Sequence, residues 1–139
     1  MQRNSGDSRV NEVLEHVFRD LVENPDDETF PGIVVLRLDS GLFFATAEAL
    51  EDRVRGFTDG DTPPRAVVLD LEGVNFVDSQ GAAKLAELHR LVAGSGATLR
   101  LARLKPQVRR VLDADGTIAL IGVENIHGNV QRAVRTQIG

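Results

Sequence analysis

The sequence predicts one α/β domain with a single mixed sheet of four to five strands and helices packed mainly on one side. Residues 66–71 form an apolar run broken only by Asp70, as expected of a strand covered on both faces. From Ser79 the apolar residues recur every three or four positions, which is a helical period. Short apolar and helical segments alternate along the rest of the chain. This order is typical of strands joined by right-handed crossovers.

Composition limits the classes of function. The chain has 139 residues, enough for one domain, with 42% hydrophobic and 27% charged residues, as in ordinary soluble proteins. Sixteen Lys and Arg against twenty-one Asp and Glu give a net charge of −5, which argues against a nucleic-acid partner. The absence of cysteine excludes disulfides, thiolate metal sites and thiol nucleophiles. No apolar run approaches the roughly 18 residues of a membrane span, and no signal pattern begins at Met1.

The first part of the chain divides into two segments before the domain. Residues 1–7 are polar and are expected to be a disordered or vector-derived tail. Residues 8–22 predict an amphipathic helix, with apolar residues at i, i+3, i+4, i+7 and i+8. This helix either covers the core or packs on something outside the domain. Together with a linker it spans 8–30, and the domain proper is expected to span 31–139.

The first strands are predicted to form a hairpin. Residues 33–38 form an apolar strand, Asp39-Ser40-Gly41 is a turn signal, and residues 42–44 return as a short strand. Because the turn is so short, the two strands are expected to pair antiparallel.

A helix is expected next. Thr46 is the predicted N-cap of a helix that runs to about Arg55 and stops at Gly56. Residues 58–64 are polar and rich in proline and glycine, which predicts a loop.

The start of the helix after the central strand contains the main candidate functional residues. Asp78 or Ser79 is its candidate N-cap. Because the first N–H groups of a helix lack partners and carry partial positive charge, the same end can hold an anion or phosphate. The helix ends near Gly94.

The remaining elements are predicted from the spacing of apolar residues and from the positions of proline and glycine. Residues 97–102 predict a strand, and Lys105-Pro106 starts a helix with proline at its first position. Residues 117–123 predict a turn of helix plus an edge strand, and 129–138 predict a last helix.

No catalytic or metal site is evident in the sequence. His16, His89 and His127 lie far apart along the chain, and His89 lies about 15 Å beyond Ser79 along their helix, too far for a nucleophile–base pair. Asp70 and Asp78 do not form a recognisable acid–base pair. No phosphate loop, dinucleotide-binding glycine motif or metal-ligand spacing occurs.

Two stretches resemble a known family. PGIVVLRLDSGLFFATAEAL at 31–50, followed by AVVLDLEGVNFVDSQGAAKLAEL at 66–88, is similar to STAS domains. More narrowly, it resembles the C-terminal cytoplasmic domain of SulP-type sulfate and anion transporters. The Val-Asp-Ser-x-Gly-Ala entry into a helix is shared with anti-sigma-factor antagonists. The resemblance covers residues 31–138.

The resemblance implies no catalysis and a regulatory or docking role on the cytoplasmic side of an anion transporter in the cell membrane. The implied partners are the transmembrane domain of the same transporter, and regulatory proteins or a homodimer partner. The alternative is a stand-alone anti-sigma-factor antagonist that acts by partner switching. In that subfamily the residue before the glycine accepts phosphate, but here it is Gln80, which cannot; Ser79 is the remaining candidate for phosphorylation.

STAS domains are also associated with guanine and adenine nucleotides, which implies weak binding of GDP, GTP or ATP. Phe43 or Phe44 would either stack on the base or belong to the core, and Arg103 and Lys105 would offset the negative charge of the aspartates. The candidate nucleotide or phosphate site comprises Asp39, Ser40, Gly41, Phe43, Asp78, Ser79, Gln80, Gly81, Arg103 and Lys105.

Overall fold

The computed structural model describes residues 32–138 of the chain, with side chains through Arg135. The predicted tail at 1–7 and the predicted helix and linker at 8–30 lie outside the described residues. Within the part that is described, no helix is both long enough and apolar enough to span a bilayer.

Strands and helices alternate, except that two helices and a 3-10 turn separate β3 from β4. The elements are β1 (Ile33–Arg37), α1 (Phe44–Thr58), β2 (Ala66–Asp70), α2 (Ser79–Gly94), β3 (Thr98–Ala102), α3 (Pro106–Ala114), α4 (Thr117–Ile121), a 3-10 turn (Val123–Asn125), β4 (Ile126–His127) and α5 (Val130–Ile138). This order confirms the α/β class.

Within residues 32–138 the sheet has four strands in the order β1-β2-β3-β4, and every pairing among them is parallel. Ile33 lies opposite Ala66, which lies opposite Thr98, so the three long strands run in step. The strand count agrees with the prediction of four to five. Because all the strands are parallel, their carboxyl ends meet at one edge of the sheet.

The predicted antiparallel hairpin, and with it the mixed sheet, is wrong for the residues described. Leu42 forms only an isolated parallel bridge with Val77, and Phe44 begins α1 instead of continuing a strand. A short apolar run does not distinguish a strand from the start of a helix. The hydroxyl of Thr46 accepts a hydrogen bond from the Phe43 N–H at 3.1 Å and donates one to the Gly41 carbonyl at 2.7 Å. These bonds fix the helix start, so Phe43, not Thr46, is the N-cap.

Two further boundaries differ from the prediction. The predicted stop at Gly56 is wrong, because Gly56 lies inside α1, which continues to Thr58. Residues 117–121 form the expected turn of helix, but the edge strand comes later, at Ile126–His127.

Side chains from alternate strand positions build two cores. The larger one faces helices α1 to α4 and is centred on leucines such as Leu36, Leu69 and Leu101. The smaller one lies on the opposite face, where Val35, Val68 and Ala102 pack against Ala133 and Val134 of α5. Helices therefore cover mainly one side of the sheet, as predicted, and β2 is buried along its whole length.

His127 on β4 makes folding sensitive to mild acid. Burial first, and then Arg100 on β3 and Arg132 on α5, lower the pKa of His127 below its ordinary value of 6.5. Because the unfolded chain binds the proton more readily, stability falls as the pH drops through 6.5 towards the lower pKa of the folded state.

Between neutral pH and mildly acidic pH, we expect the melting temperature, measured by circular dichroism, to fall less in His127→Gln than in the parent chain. The corresponding difference in the free energy of unfolding is expected to be below about 1 kcal/mol, because the His127 side chain is only partly buried. Burial lowers the pKa of His89 as well, so some pH dependence remains in this variant. An identical pH dependence in the variant and the parent chain would contradict the assignment to His127.

Candidate functional site

The loops at the carboxyl edge of the sheet converge on one surface, which we call the rim: residues 39–43, 71–80 and 103–105. Backbone hydrogen bonds extend the strand pairing into these loops. The Leu38 N–H donates to the Asp70 carbonyl at 3.3 Å, and the Leu71 N–H donates to the Ala102 carbonyl at 2.9 Å. In parallel α/β sheets, ligands bind preferentially outside these strand ends.

The starts of α1 and α2 are joined at the rim. The Leu42 N–H donates to the Phe76 carbonyl at 2.9 Å, and the Asp78 N–H donates to the Leu42 carbonyl at 3.2 Å. Gly81 lies directly against the Leu42 carbonyl, so closely that a side chain at this position would collide with it. Gly81, a predicted site residue, therefore allows two backbone segments to pack closely.

Asp78 is the N-cap of α2. Its carboxylate accepts a hydrogen bond from the Gly81 N–H at 2.7 Å. This settles the choice between Asp78 and Ser79 as the cap. Ser79 and Gln80 are the first two residues of the helix, and both are exposed. The Ser79 side chain makes no hydrogen bond within the described residues.

An aromatic cluster lies beside this helix start. The rings of Phe43 and Phe76 stack with their centroids 6.0 Å apart and an interplanar angle of 13°. Phe76 is 52% exposed and Phe44 is 45% exposed, so Phe44 is not a core residue. Phe76 is not among the site residues predicted from the sequence. Its neighbours Val74 and Val77 are buried, and because all three residues are apolar, the sequence alone does not single out Phe76 as the exposed one.

The cations predicted to bind an anion are bound to neighbouring side chains. The Arg103 guanidinium donates to both oxygens of Asp70, at 2.6 and 3.1 Å, and lies 2.9 Å from a Glu72 carboxylate oxygen. The hydrogen bond to Asp70 raises the pKa of Arg103. Lys105 donates to the Asn75 side chain at 2.7 Å.

Asp39 is also paired. Arg37 donates to its carboxylate at 2.7 Å, and this hydrogen bond raises the pKa of Arg37. Ser40 and Gly41 are half-buried beside it. The structure thus places all ten predicted site residues on or immediately beside the rim, but it directs Arg103 and Lys105 to protein partners.

The rim exposes the Phe76 ring and the first two residues of α2. Within the described residues no cluster of histidine, aspartate or glutamate could hold a metal ion. His89 lies on α2 ten residues after Ser79, about 15 Å away along the helix axis, so it does not serve as a base for the Ser79 hydroxyl.

The fold and the rim define a parallel α/β domain in which a strand-to-helix loop carries the exposed groups. The chain belongs to the STAS domain family, whose model matches residues 24–133.

Known proteins with similar sequences and structures agree with this family. The chain is 27% identical to "Probable sulfate transporter 4.2" of Arabidopsis thaliana over 129 residues, which cover 86% of this chain and 19% of that protein. It therefore spans about a fifth of the length of the curated relatives it matches. The STAS domain of a SulP transporter from Vibrio cholerae superposes with a TM-score of 0.69 at 22% identity, covering 89% of this chain and 94% of that domain.

A putative anti-sigma factor antagonist from Thermotoga maritima has the same fold. It superposes with a TM-score of 0.67 at 18% identity, covering 78% of this chain and 89% of that protein.

Proposed function

We propose that this chain is the non-catalytic, cytoplasmic regulatory domain of a SulP-like sulfate or anion transporter, and that it works by contacting the transmembrane part of the same protein. The observation that carries this proposal is the similarity to sulfate transporters over 86% of this chain but only 19% of the relative. A domain that occupies a fifth of a transporter is expected to serve the remainder of that protein. The rim supports a contact role, since Asp39 and Arg103 are paired with neighbouring side chains and the Phe76 ring is 52% exposed.

The test uses the complete reading frame that encodes this chain. The proposal expects about ten or more apolar spans of about 20 residues upstream of Ser8. It also expects uptake of radioactive sulfate by the full-length protein, expressed in cells that lack their own sulfate uptake. A reading frame without such spans would overturn the proposal.

Removal of residues 32–138 from the full-length protein is expected to lower sulfate uptake several-fold at equal membrane abundance, because the transmembrane part loses its regulatory contact. Gly94→Ala is the matched control, since nothing in the structure lies near a side chain added there. Uptake by the truncated protein that equals uptake by the control would contradict a regulatory role.

The alternative is a stand-alone anti-sigma-factor antagonist, and the similarity in fold to such a protein favours it. Ser79 is exposed at the start of α2, where the helix dipole would stabilise a phosphate, although the Asp78 carboxylate beside it would oppose one. Phosphorylation of Ser79 by an anti-sigma kinase with ATP, lost in Ser79→Ala, would replace the transporter proposal with this one.

Weak binding of GDP, GTP or ATP at the rim is a further part of the proposal. The exposed start of α2 and the Phe43–Phe76 stack support it. Asp70 and Glu72 offset the charge of Arg103, which makes it less available to a phosphate. Within the described residues Lys105 donates only to the neutral Asn75 side chain, so its positive charge is not offset there. Amide shifts near Ser40 and Ser79 on titration with each nucleotide would support the site. The absence of such shifts at nucleotide concentrations of about 1 mM or more would contradict it.

A further inference from the structure

Two Asp-Gly pairs lie at exposed positions of the chain. Asp59 and Gly60 follow α1, and Asp115 and Gly116 lie between α3 and α4. A glycine after an aspartate has no side chain to hinder attack of its backbone nitrogen on the aspartate side-chain carboxyl carbon, so such a pair can rearrange without an enzyme. The folded structure decides whether the nitrogen and the carbon can meet.

The structure leaves the first pair unconstrained. The Gly60 N–H donates no hydrogen bond within residues 32–138, and the Asp59 carboxylate has no hydrogen-bond or ion-pair partner there. Apart from the chain neighbours of Gly60, one described atom lies within 4 Å of a methyl group added at this position, the Phe57 carbonyl oxygen at 3.6 Å. The Asp59–Gly60 peptide group can therefore rotate towards the Asp59 side chain without breaking a hydrogen bond.

The second pair is held on both sides. The Gly116 N–H donates to the Asp113 carbonyl at 3.1 Å, and the Gly116 carbonyl accepts from the Leu120 N–H at 3.1 Å. Gly116 is the N-cap of α4 with φ of 83°, and the next residue, Thr117, is buried. Rotation of the Asp115–Gly116 peptide group would break the first of these bonds and displace Thr117.

Two Asp-Ser pairs at the rim are protected in a different way. The Asp78 carboxylate accepts from the Gly81 N–H, and the Asp39 carboxylate accepts from Arg37, both at 2.7 Å. Each carboxylate is thus held by a group other than the nitrogen that follows it. The serine side chain also hinders the attack more than the hydrogen atom of glycine does.

We propose that Asp59 is a site of spontaneous isoaspartate formation in the folded domain. The Gly60 nitrogen forms a bond to the side-chain carboxyl carbon of Asp59, and the proton of this nitrogen and the hydroxyl of the carboxyl group leave together as water. The product is a five-membered succinimide ring. Water then cleaves the bond between the ring nitrogen and the main-chain carbonyl carbon. The chain is now linked through the Asp59 side chain, with one extra methylene carbon in the backbone and an unlinked α-carboxylate.

The modified residue lies away from the rim. Residues 59–65 connect the end of α1 to the start of β2, so they lie at the amino edge of the parallel sheet. The far end of this loop is anchored, because Pro64 is buried and the Arg65 N–H donates to the Gly32 carbonyl at 2.6 Å. Isoaspartate therefore lengthens an exposed loop and leaves the strand pairing in place. This inference is independent of the proposed transporter function.

The test follows the folded chain as it ages at mildly acidic pH, where a fraction of carboxyl groups is protonated. Peptide mass spectrometry detects succinimide by the loss of one water, and its fragmentation spectra distinguish isoaspartate from aspartate. We expect both products at Asp59 more than about tenfold faster than at Asp115, as the loss of backbone hydrogen bonds at the second pair requires. In denaturant the two pairs should react at similar rates. Equal rates in the folded chain, or no product at Asp59 under conditions that modify the denatured chain, would overturn the proposal.

Conservative substitutions assign the product to one residue. Asp59→Glu should abolish it, because the corresponding ring would have six members and forms much more slowly. Gly60→Ala should slow it several-fold, since the added methyl group hinders the attack while nothing in the described structure obstructs it. Asp61→Glu, the same change two residues further along the exposed loop, is the matched control and should leave the rate unchanged. Circular dichroism verifies that each variant is folded. A product that persists in Asp59→Glu and disappears in Asp61→Glu would contradict the assignment.

Discussion

Gly81→Ala is expected to destabilise the folded domain by about 2–3 kcal/mol. The added methyl carbon would lie 2.7 Å from the Leu42 carbonyl carbon and 3.1 Å from the Phe43 Cα, well inside ordinary contact distances. These are backbone atoms held by the hydrogen bonds of Leu42 to Phe76 and Asp78, so they cannot move aside cheaply. Chemical denaturation followed by circular dichroism measures the change.

Gly94→Ala, at the other end of the same helix, is the control for this substitution. Apart from its chain neighbours and the backbone of its own helix, nothing lies within 4 Å of a methyl group added there, so alanine should be neutral or more stable by less than about 1 kcal/mol. If Gly81→Ala were as stable as Gly94→Ala, the close contact between the starts of α1 and α2 would be wrong.

Arg103→Met is expected to cost about 2 kcal/mol of folding stability. Asp70 is only 5% exposed, and without Arg103 its carboxylate would keep just the Glu72 N–H as a hydrogen-bond donor within the described residues. The Arg103 side chain is 36% exposed, so water replaces part of the lost interaction and the cost is below that of a fully buried pair. Arg103→Lys should lose about half as much, because it keeps the charge without the two-pronged geometry.

The comparison for Arg103 is Arg37→Met. This substitution breaks the Arg37–Asp39 pair, in which the two side chains are 34% and 39% exposed. Exposed pairs of this kind contribute at most about 1 kcal/mol. Equal losses for the two variants, measured by denaturation at neutral pH, would show that the Asp70 carboxylate is less isolated than the structure indicates.

Most of the fold could be predicted because the strongest patterns were long. The apolar run at 66–71 and the helical period from Ser79 gave β2 and α2 nearly at their observed bounds. Residues 42–44 could not be assigned, since three apolar residues fit either a strand or the first turn of a helix. In the structure, hydrogen bonds of the Thr46 hydroxyl with Gly41 and Phe43 fix this segment as the start of a helix. These hydrogen bonds depend on how the loop folds, so the sequence pattern does not predict them.

The position of the candidate site was predictable, but its electrostatics were not. Parallel strands bring their carboxyl ends together, so the loops after β1, β2 and β3 had to share an edge. Arg103 has a left-handed backbone with φ of 58°, rare for a residue other than glycine, and its sequence gives no sign of this. Its pairing with Asp70, 33 residues away, also depends on the tertiary structure, so the loss of a free cation at the rim could not be foreseen.

The bridge between Leu42 and Val77 joins the two residues that immediately precede the N-caps of α1 and α2. Gly81 lies against the Leu42 carbonyl at the same place. To move one helix start away from the other, these backbone hydrogen bonds would have to break. A partner that displaces the loop before one of these helices is therefore expected to displace the loop before the other.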